Sequence, residues 1–241
     1  MPVEELTKTE KGNYILVELE DSKLLVAKHR LSYGPEVEQA AEKLRLKLEN
    51  TAQEKSGRPY IGKINHEQAV KLSLTLDSTP FDLSKFKHFY NLLKKGAEGQ
   101  AKVYNGNGKL VDKKELSDLF DELAGKRDPW RAEHLANSFH KVHDSLYIAS
   151  DFELKEGKLR PKKLEPLEDC VMENSFIDIS SLNKQGLPTQ KSENSQVYFW
   201  PPRENRFAWF DADADWAVLY CCGDPLYSSS DLGVRLAKLF P

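Results

Sequence analysis

FAWFDADADWAVLYCCGDPLYSSSDLGVRLA, residues Phe207 to Ala237, contains no Lys, Glu, Gln or Met. Those four types make up roughly a quarter of the chain, so about seven would be expected in such a window. A buried strand excludes Lys and Glu, yet this one carries Asp211, Asp213, Asp215, Asp224, Asp231 and a run of serines. It is polar while avoiding the longer polar side chains, which burial alone does not explain. Its second feature is alternation. Asp211, Asp213 and Asp215 interleave with Ala212, Ala214 and Trp216, which puts the acids on one face of an extended chain. After Trp216 the phase slips by one residue. A bulge or turn near Trp216–Ala217 would keep Ala, Leu and Cys inward on both sides of the slip. The expected outward set is Asp211, Asp213, Asp215, Val218, Tyr220, Cys222 and Asp224, continuing through Leu226, Tyr227, Ser229 and Asp231. Ala212, Trp216, Leu219, Cys221, Leu232, Gly233 and Val234 are expected to hold the backbone from inside.

Upstream, Val197–Trp200 reads as a buried strand ended by Pro201-Pro202, and 178–195 as a long irregular loop, a kind of segment that often borders a functional surface. Leu146–Leu154 and Lys158–Leu164, turning at Gly157, suggest a hairpin. The middle of the chain reads as helical. Asn65 with Gln68 forms a capping box for a helix through Leu76, a second helix runs from Pro80 to Lys95 and stops at Gly96, and Asp112 with Glu115 starts a third that Gly125 closes. Val103–Leu110 is a short hairpin with a positive-φ turn. Pro129 is expected to open one more helix, through His143. The opening reads as a hairpin, Asn13–Glu20 and Lys23–Arg30, followed by a helix from Glu36 to Gln53. Lys55–Pro59 is the best linker candidate.

The formal charge of -3 gives no general drive toward nucleic acid or an anionic membrane. No apolar stretch approaches the roughly 20 residues needed to span a bilayer. The first residues lack the basic-then-apolar layout of a signal peptide. Cys170, Cys221 and Cys222 make a poor disulfide framework, because neighbouring cysteines bridge only with strain, and a CC pair is poor ligand spacing for a metal. A reducing compartment fits them best.

The pattern Ala-Asp-x-Asp-Trp-Ala-x-Leu-x-Cys…Pro…Leu-Gly-Val-Arg, running from Ala212 to Arg235, resembles the variable region of diversity-generating retroelement target proteins, above all their archaeal and archaeal-virus branch. LEPLEDC (Leu164–Cys170) and DISSLNKQGLPTQKS (Asp178–Ser192) are similar to that branch as well. In that family a reverse transcriptase misreads template adenines, so Asn codons ending in a pyrimidine become codons for Asp, Tyr, Ser, Val, Leu, Cys, Gly or Ala, but never Lys, Glu, Gln, Met or Trp. The missing residue types match that exclusion, and Trp209 and Trp216 would be template-fixed. The resemblance implies an α/β (α+β) C-type-lectin-like fold of the formylglycine-generating-enzyme type, with a helical middle and an irregular, loop-rich C-terminal half. It would span 1–241 as one domain, with 1–57 as a hairpin-plus-helix element and 207–237 as the variable, ligand-binding region.

Rival chemistry fits less well. An EF-hand starting at Asp211 would want Gly at its sixth position and Glu at its twelfth, where Trp216 and Cys222 stand. The DxD after an apolar strand is also the nucleophile pattern of haloacid-dehalogenase-type phosphatases, but too little chain follows it. His134, His140 and His143 fall on one expected helix, where His140 and His143 share a face and could pair on zinc, but surface or partly packed histidines are the expected reading. Cys221 could stand for the catalytic thiol of formylglycine-generating enzymes, but it falls in the inward set with no base in view. The expected function is reversible binding of a protein or cell-surface ligand without turnover, cofactor, metal, nucleic acid or membrane insertion. An enzyme of the formylglycine-generating type and a structural virion protein without diversification are the alternatives. The protein is expected to be soluble and made in the cytoplasm; its final location, with association to a virion or cell surface as one option, stays open. Ligand, host and oligomeric state stay open.

Overall fold

The computed structural model describes residues 6–240; residues 1–5 of the expected 1–57 element lie outside the described residues. A turn of helix capped by Thr7 (α1, Lys8–Lys11) leads into the expected hairpin, β1 (Tyr14–Glu18) against β2 (Lys23–Ala27). Ile15, Val17, Leu24 and Val26 turn one face of that hairpin into the main core. The following helix is shorter than its periodicity predicts. α2 (Pro35–Leu44) stops where Arg45 adopts the left-handed conformation, φ 55°, and caps Ala41 and Glu42 with its N–H. Its expected last turn is instead strand β3 (Asn50–Gln53), paired with β4 (Pro59–Ile61). The expected linker is therefore the turn between two strands, with Gly57 at φ 82°.

The helical middle follows its caps. Asn65 and Gln68 exchange both capping-box hydrogen bonds, each 3.0 Å, at the start of α3 (His66–Thr75). Asp82 caps α4 (Leu83–Glu98), which continues through Gly96 and ends at Gly99, φ 80°. Gly96 is a contact point rather than a stop: a Cβ there would lie 2.7 Å from Val103 and 2.9 Å from Leu116. Between α4 and α5 (Lys113–Ala124) the chain makes the expected short turn, with Tyr104 bridging Leu110 and Gly108 at φ 72°.

The largest departure follows Gly125. Where Pro129 was expected to open a helix, Arg131–Val142 is a long strand, β5, antiparallel to β6 (Ser145–Lys155). Its alternation is real but masked, because Arg131, Glu133 and Asn137 occupy inward positions beside Leu135 and Phe139. His134, His140 and His143 therefore share no helix face. His134 is buried in the strand, His140 is half-buried against the Ser138 hydroxyl at 2.8 Å, and His143 sits in the turn at φ 53°.

β6 turns at Gly157 into β7 (Lys158–Pro166), as expected. The remaining strands are β8 (Ser175–Ile177), β9 (Val197–Trp200), β10 (Arg206–Ala212), β11 (Ala217–Gly223), β12 (Leu232–Gly233) and β13 (Ala237–Phe240). An eight-stranded sheet has the order β7-β6-β5-β10-β11-β9-β8, with β12 parallel to β5; β9 is parallel to β11 and the other neighbours are antiparallel. A second sheet, β1-β2-β13, joins the last strand to the first hairpin. The fold is thus mixed α/β, with five helices among the described residues.

Helix α4 covers one face of the large sheet, where Phe86 and Tyr90 meet Phe210 of β10 at 4.7 and 5.6 Å between ring centroids. On the opposite face, Val70 of α3 packs against Ala136, Ala149 and Phe152 of β5 and β6. A buried ionic network runs through the interior. Arg30 donates to Glu122 at 2.7 Å, Arg131 lies 2.8 Å from the same carboxylate, and Arg235 lies 2.8 Å from Glu133. It joins the end of the first hairpin, α5, β5 and the approach to β13. Removing one partner from such a network leaves an uncompensated charge inside.

Candidate ligand-binding face

The acid-rich window is a hairpin. β10 and β11 pair antiparallel, and Asp213–Trp216 is the turn between them. The Asp213 carboxylate closes that turn by accepting from the N–H of Asp215 (2.8 Å) and of Trp216 (2.9 Å). The slip in the sequence pattern is this reversal of direction. Crossing it exchanges odd for even positions, so Phe207, Trp209 and Asp211 of β10 share a face with Val218, Tyr220 and Cys222 of β11. Ala208, Phe210, Ala217, Leu219 and Cys221 point the other way, into the main core.

The face so formed extends onto β9 and β8, because the pattern of β9 alternates as well. Val197 and Phe199 are in the core, while Tyr198 and Trp200 are half-buried on the same side as Tyr220. Cross-strand register then makes two rows. One runs Phe176–Tyr198–Val218–Asp211, the other Trp200–Tyr220–Trp209–His134. The rings touch in sequence: Phe176 to Trp216 at 5.5 Å, Trp216 to Tyr198 at 5.7 Å, Tyr198 to Trp200 at 5.9 Å and Trp200 to Tyr220 at 5.6 Å. Tyr220 stacks on Trp209 at 4.4 Å, and Tyr227 covers Trp209 from the following loop at 5.5 Å.

Most of the expected outward set meets on or beside this face. Asp213 and Cys222 are half-buried; Asp215, Asp224, Leu226 and Tyr227 are exposed, Leu226 most of all at 79%. Three positions differ from expectation. Val218 points outward but is buried at 4% exposure, flanked in register by Tyr198 and Asp211. Trp216, expected to clamp the backbone from inside, is 37% exposed in the turn and stacks on Tyr198, and Ala214 beside it is exposed too. A tight turn has no inside for either to face. Ser229 and Asp231 are half-buried and serve as anchors: the Ser229 carbonyl accepts from the Lys63 N–H, and the Asp231 carbonyl accepts from the Tyr60 hydroxyl and the Ala132 N–H.

Ala212, Leu219, Cys221, Leu232 and Gly233 are buried. Gly233 pairs with Glu133 where a Cβ would lie 2.8 Å from Arg30 and 2.9 Å from Tyr60. Residues absent from the expected set also build the face: Phe176, Tyr198 and Trp200, with Trp209 at its centre. For Tyr198 and Trp200 the residues carry little signal, since Val-Tyr-Phe-Trp is apolar or aromatic throughout and reads as a wholly buried strand; the alternation lies in their burial.

Electrostatically the face is polarised. At the turn end, Asp211 accepts a 2.7 Å hydrogen bond from the Trp209 indole N–H. Burial nevertheless raises its pKa to about 7, with the nearby Asp213 adding to the rise. Asp211, Asp213 and Asp215 make no ion pair among the described residues. At the other end Arg206 pairs with Asp224 at 3.2 Å. Burial raises the pKa of the Cys221 thiol well above its usual range, which keeps it protonated and poorly nucleophilic. Among the described residues no group of three or more His, Cys, Asp or Glu is arranged to hold a metal ion. No described helix is long and apolar enough to cross a membrane. The face can therefore offer stacking surfaces, one acidic end and hydroxyl and thiol groups.

No protein-family model, curated protein or solved structure matches the chain.

Proposed function

We propose that the chain is a binding protein of the C-type-lectin-fold variable type, whose outer hairpin and following loop are diversified by a retroelement to recognise changing protein or cell-surface targets. One observation carries the reading. The window that lacks Lys, Glu, Gln and Met places Asp211, Tyr220, Cys222 and Tyr227 around Trp209 on one face, with Asp215, Asp224 and Leu226 exposed at its rim. A compositional restriction that coincides with one contiguous face, half-buried at its centre and exposed at its rim, is what supports diversification for binding. Exposed side chains exchange within about ±0.5 kcal/mol, whereas truncating a core leucine costs roughly 2–5 kcal/mol. Tyr, Ser and Asp are also the residues that make antibody loops adaptable: rigid rings for area, short polar groups for hydrogen bonds.

Reads of this gene from one population test the proposal. Differences should concentrate at first and second codon positions of Asp211, Asp215, Tyr220, Cys222, Asp224, Leu226 and Tyr227, with a near-identical template close by. Differences spread evenly along the gene would remove the reading.

A further inference from the structure

On the α4 side of the large sheet, away from the hairpin face, a cleft of about 460 Å³ opens between β1 and α4. Lys87, Asn91 and Lys95 stand four residues apart on α4 and so line one wall together. Lys102 and Tyr104 come from the segment after α4, which is tied to β1 where the Leu16 N–H donates to the Tyr104 carbonyl at 2.9 Å. Ser180 and Leu182 of the irregular 178–195 segment close the rim. The chain carries a formal charge of -3, yet this cleft is cationic. Lys87, Lys95 and Lys102 make no ion pair among the described residues. The Lys87 ammonium is held instead by the Asn183 carbonyl at 2.9 Å, which leaves two of its three protons for another acceptor. Glu18, the one carboxylate on the lining, is exposed and lies 3.7 Å from Lys23. Asp178, beside the rim, accepts from the N–H and the hydroxyl of Ser180 at 2.9 and 2.7 Å. His88 is half-buried on the same wall, where burial and the Lys87 charge lower its pKa against the pull of Glu20. Its neutral ring makes no hydrogen bond among the described residues.

Three lysines without carboxylate partners, one of them already fixed in place, suit an anion of more than one charge. A phosphate monoester carries nearly two charges and three acceptor oxygens near neutral pH, and lysine binds it as a point charge. A carboxylate brings one charge and two oxygens and would leave more of the cleft unmatched. The other half of the lining is not ionic. Tyr104 is 40% exposed, and Leu16, Leu92 and Leu182 give an apolar floor beside it. An exposed ring next to cations fits a phosphate that is attached to a planar base, since a base stacks on an aromatic side chain while its phosphate reaches the charges. The volume is within the roughly 300–1,000 Å³ usual for small-molecule sites. We propose that this cleft binds a mononucleotide, its phosphate on Lys87, Lys95 and Lys102 and its base against Tyr104. The site lies across the sheet from the hairpin face, so a nucleotide and a displayed target can be held at once, and it stands independently of the diversification reading.

The test is calorimetric titration of the full chain with AMP, and with adenosine and inorganic phosphate as the uncharged and ring-free comparators. AMP should bind saturably, adenosine should not, and phosphate should bind more weakly than AMP. Lys95, Lys102 and Tyr104 are exposed, so their variants leave the fold intact. In the double variant Lys95→Gln, Lys102→Gln the AMP midpoint should rise about tenfold or more. The charge-keeping pair Lys95→Arg, Lys102→Arg should stay close to the parent. Tyr104→Ala should weaken AMP by about fivefold and leave inorganic phosphate unchanged. Absence of saturable AMP binding, adenosine binding as tightly as AMP, or an unchanged AMP midpoint in the glutamine variant would each overturn the proposal. Vesicles of phosphatidylcholine with phosphatidic acid separate the two sources of a phosphate monoester. Sedimentation of the chain with those vesicles that AMP does not compete away assigns the cleft to a lipid headgroup and overturns the nucleotide.

Discussion

The indole of Trp209 lies on the ring of Tyr220 with centroids 4.4 Å apart and planes 5° from parallel, and Gly223 is what allows it. A Cβ at 223 would overlap the six-membered ring of Trp209. Gly223→Ala should therefore displace the indole, lowering stability by roughly 1–3 kcal/mol as overpacking does. Thermal melts together with the near-ultraviolet dichroism of the Trp209–Tyr220 pair check this. An unchanged aromatic spectrum would mean that the strand has room the contact denies.

Asp211 gives a pH dependence of defined sign. Its pKa in the fold, about 7, lies above its unfolded value of roughly 3.9. The fold thus favours the protonated form, and the stability that this contributes is full at low pH and lost as pH rises through about 7. Asp211→Asn has no such proton to lose. Denaturant midpoints of the two proteins should diverge between pH 5 and pH 8, with Asp211→Asn gaining on the parent at the higher pH.

The buried histidines act in the opposite direction. Burial holds His66 down to about 4 and His134 down to about 3, and both rings pack on Phe207. Their neutral forms are favoured, so stability is present above the unfolded pKa of roughly 6.5 and falls as pH drops below it. Near pH 5 unfolding should take up two protons, a slope of about 2.7 kcal/mol per pH unit from these groups. Urea midpoints from pH 7 down to pH 4.5 measure it, and His66→Phe, which keeps a ring against Phe207, should halve it.

Tolerance to substitution should follow the orientation of the hairpin. Asp215→Ala, Leu226→Ser and Tyr227→Ser should each stay within about 1 kcal/mol of the parent. Leu219→Ala should cost roughly 2–5 kcal/mol. Val218→Ala decides between the sequence pattern and the burial at that position. A cost of more than about 1 kcal/mol is expected, because the side chain is 4% exposed. Chemical denaturation of the five variants provides the comparison.

Much of this could be read from the residues. The hairpins at 14–27 and 145–166 announce themselves by alternation and turn residues, and Asn65 and Asp112 mark two helix starts by their caps. Within the window, the parity slip after Trp216 was enough to assemble most of the face, since a hairpin turn exchanges odd and even positions as a bulge would. What escaped was set by partners far away in the chain. β5 looks helical because Arg131 and Glu133 stand where apolar residues would signal a strand, and they are tolerable there only through Glu122 and Arg235. Local periodicity has no access to such pairings. Trp216 was misplaced for a local reason: an aromatic residue in a tight turn has little choice but the surface.

The pairing of β13 with β2 means that the last strand completes the sheet the first hairpin begins. The window that lacks Lys, Glu, Gln and Met runs up to that closing strand and ends on Ala237, its first residue. A frameshift or stop between 207 and 234 deletes the partner of Lys23–Ala27 and the Arg235 counter-charge of Glu133 together. Such products are left with an open sheet edge and with Glu133 short of its 2.8 Å partner, and proteolysis should clear them. The sheet edge at Lys23–Ala27 is thus covered when Ala237–Phe240 is in place, which ties the first hairpin to a segment more than 200 residues away.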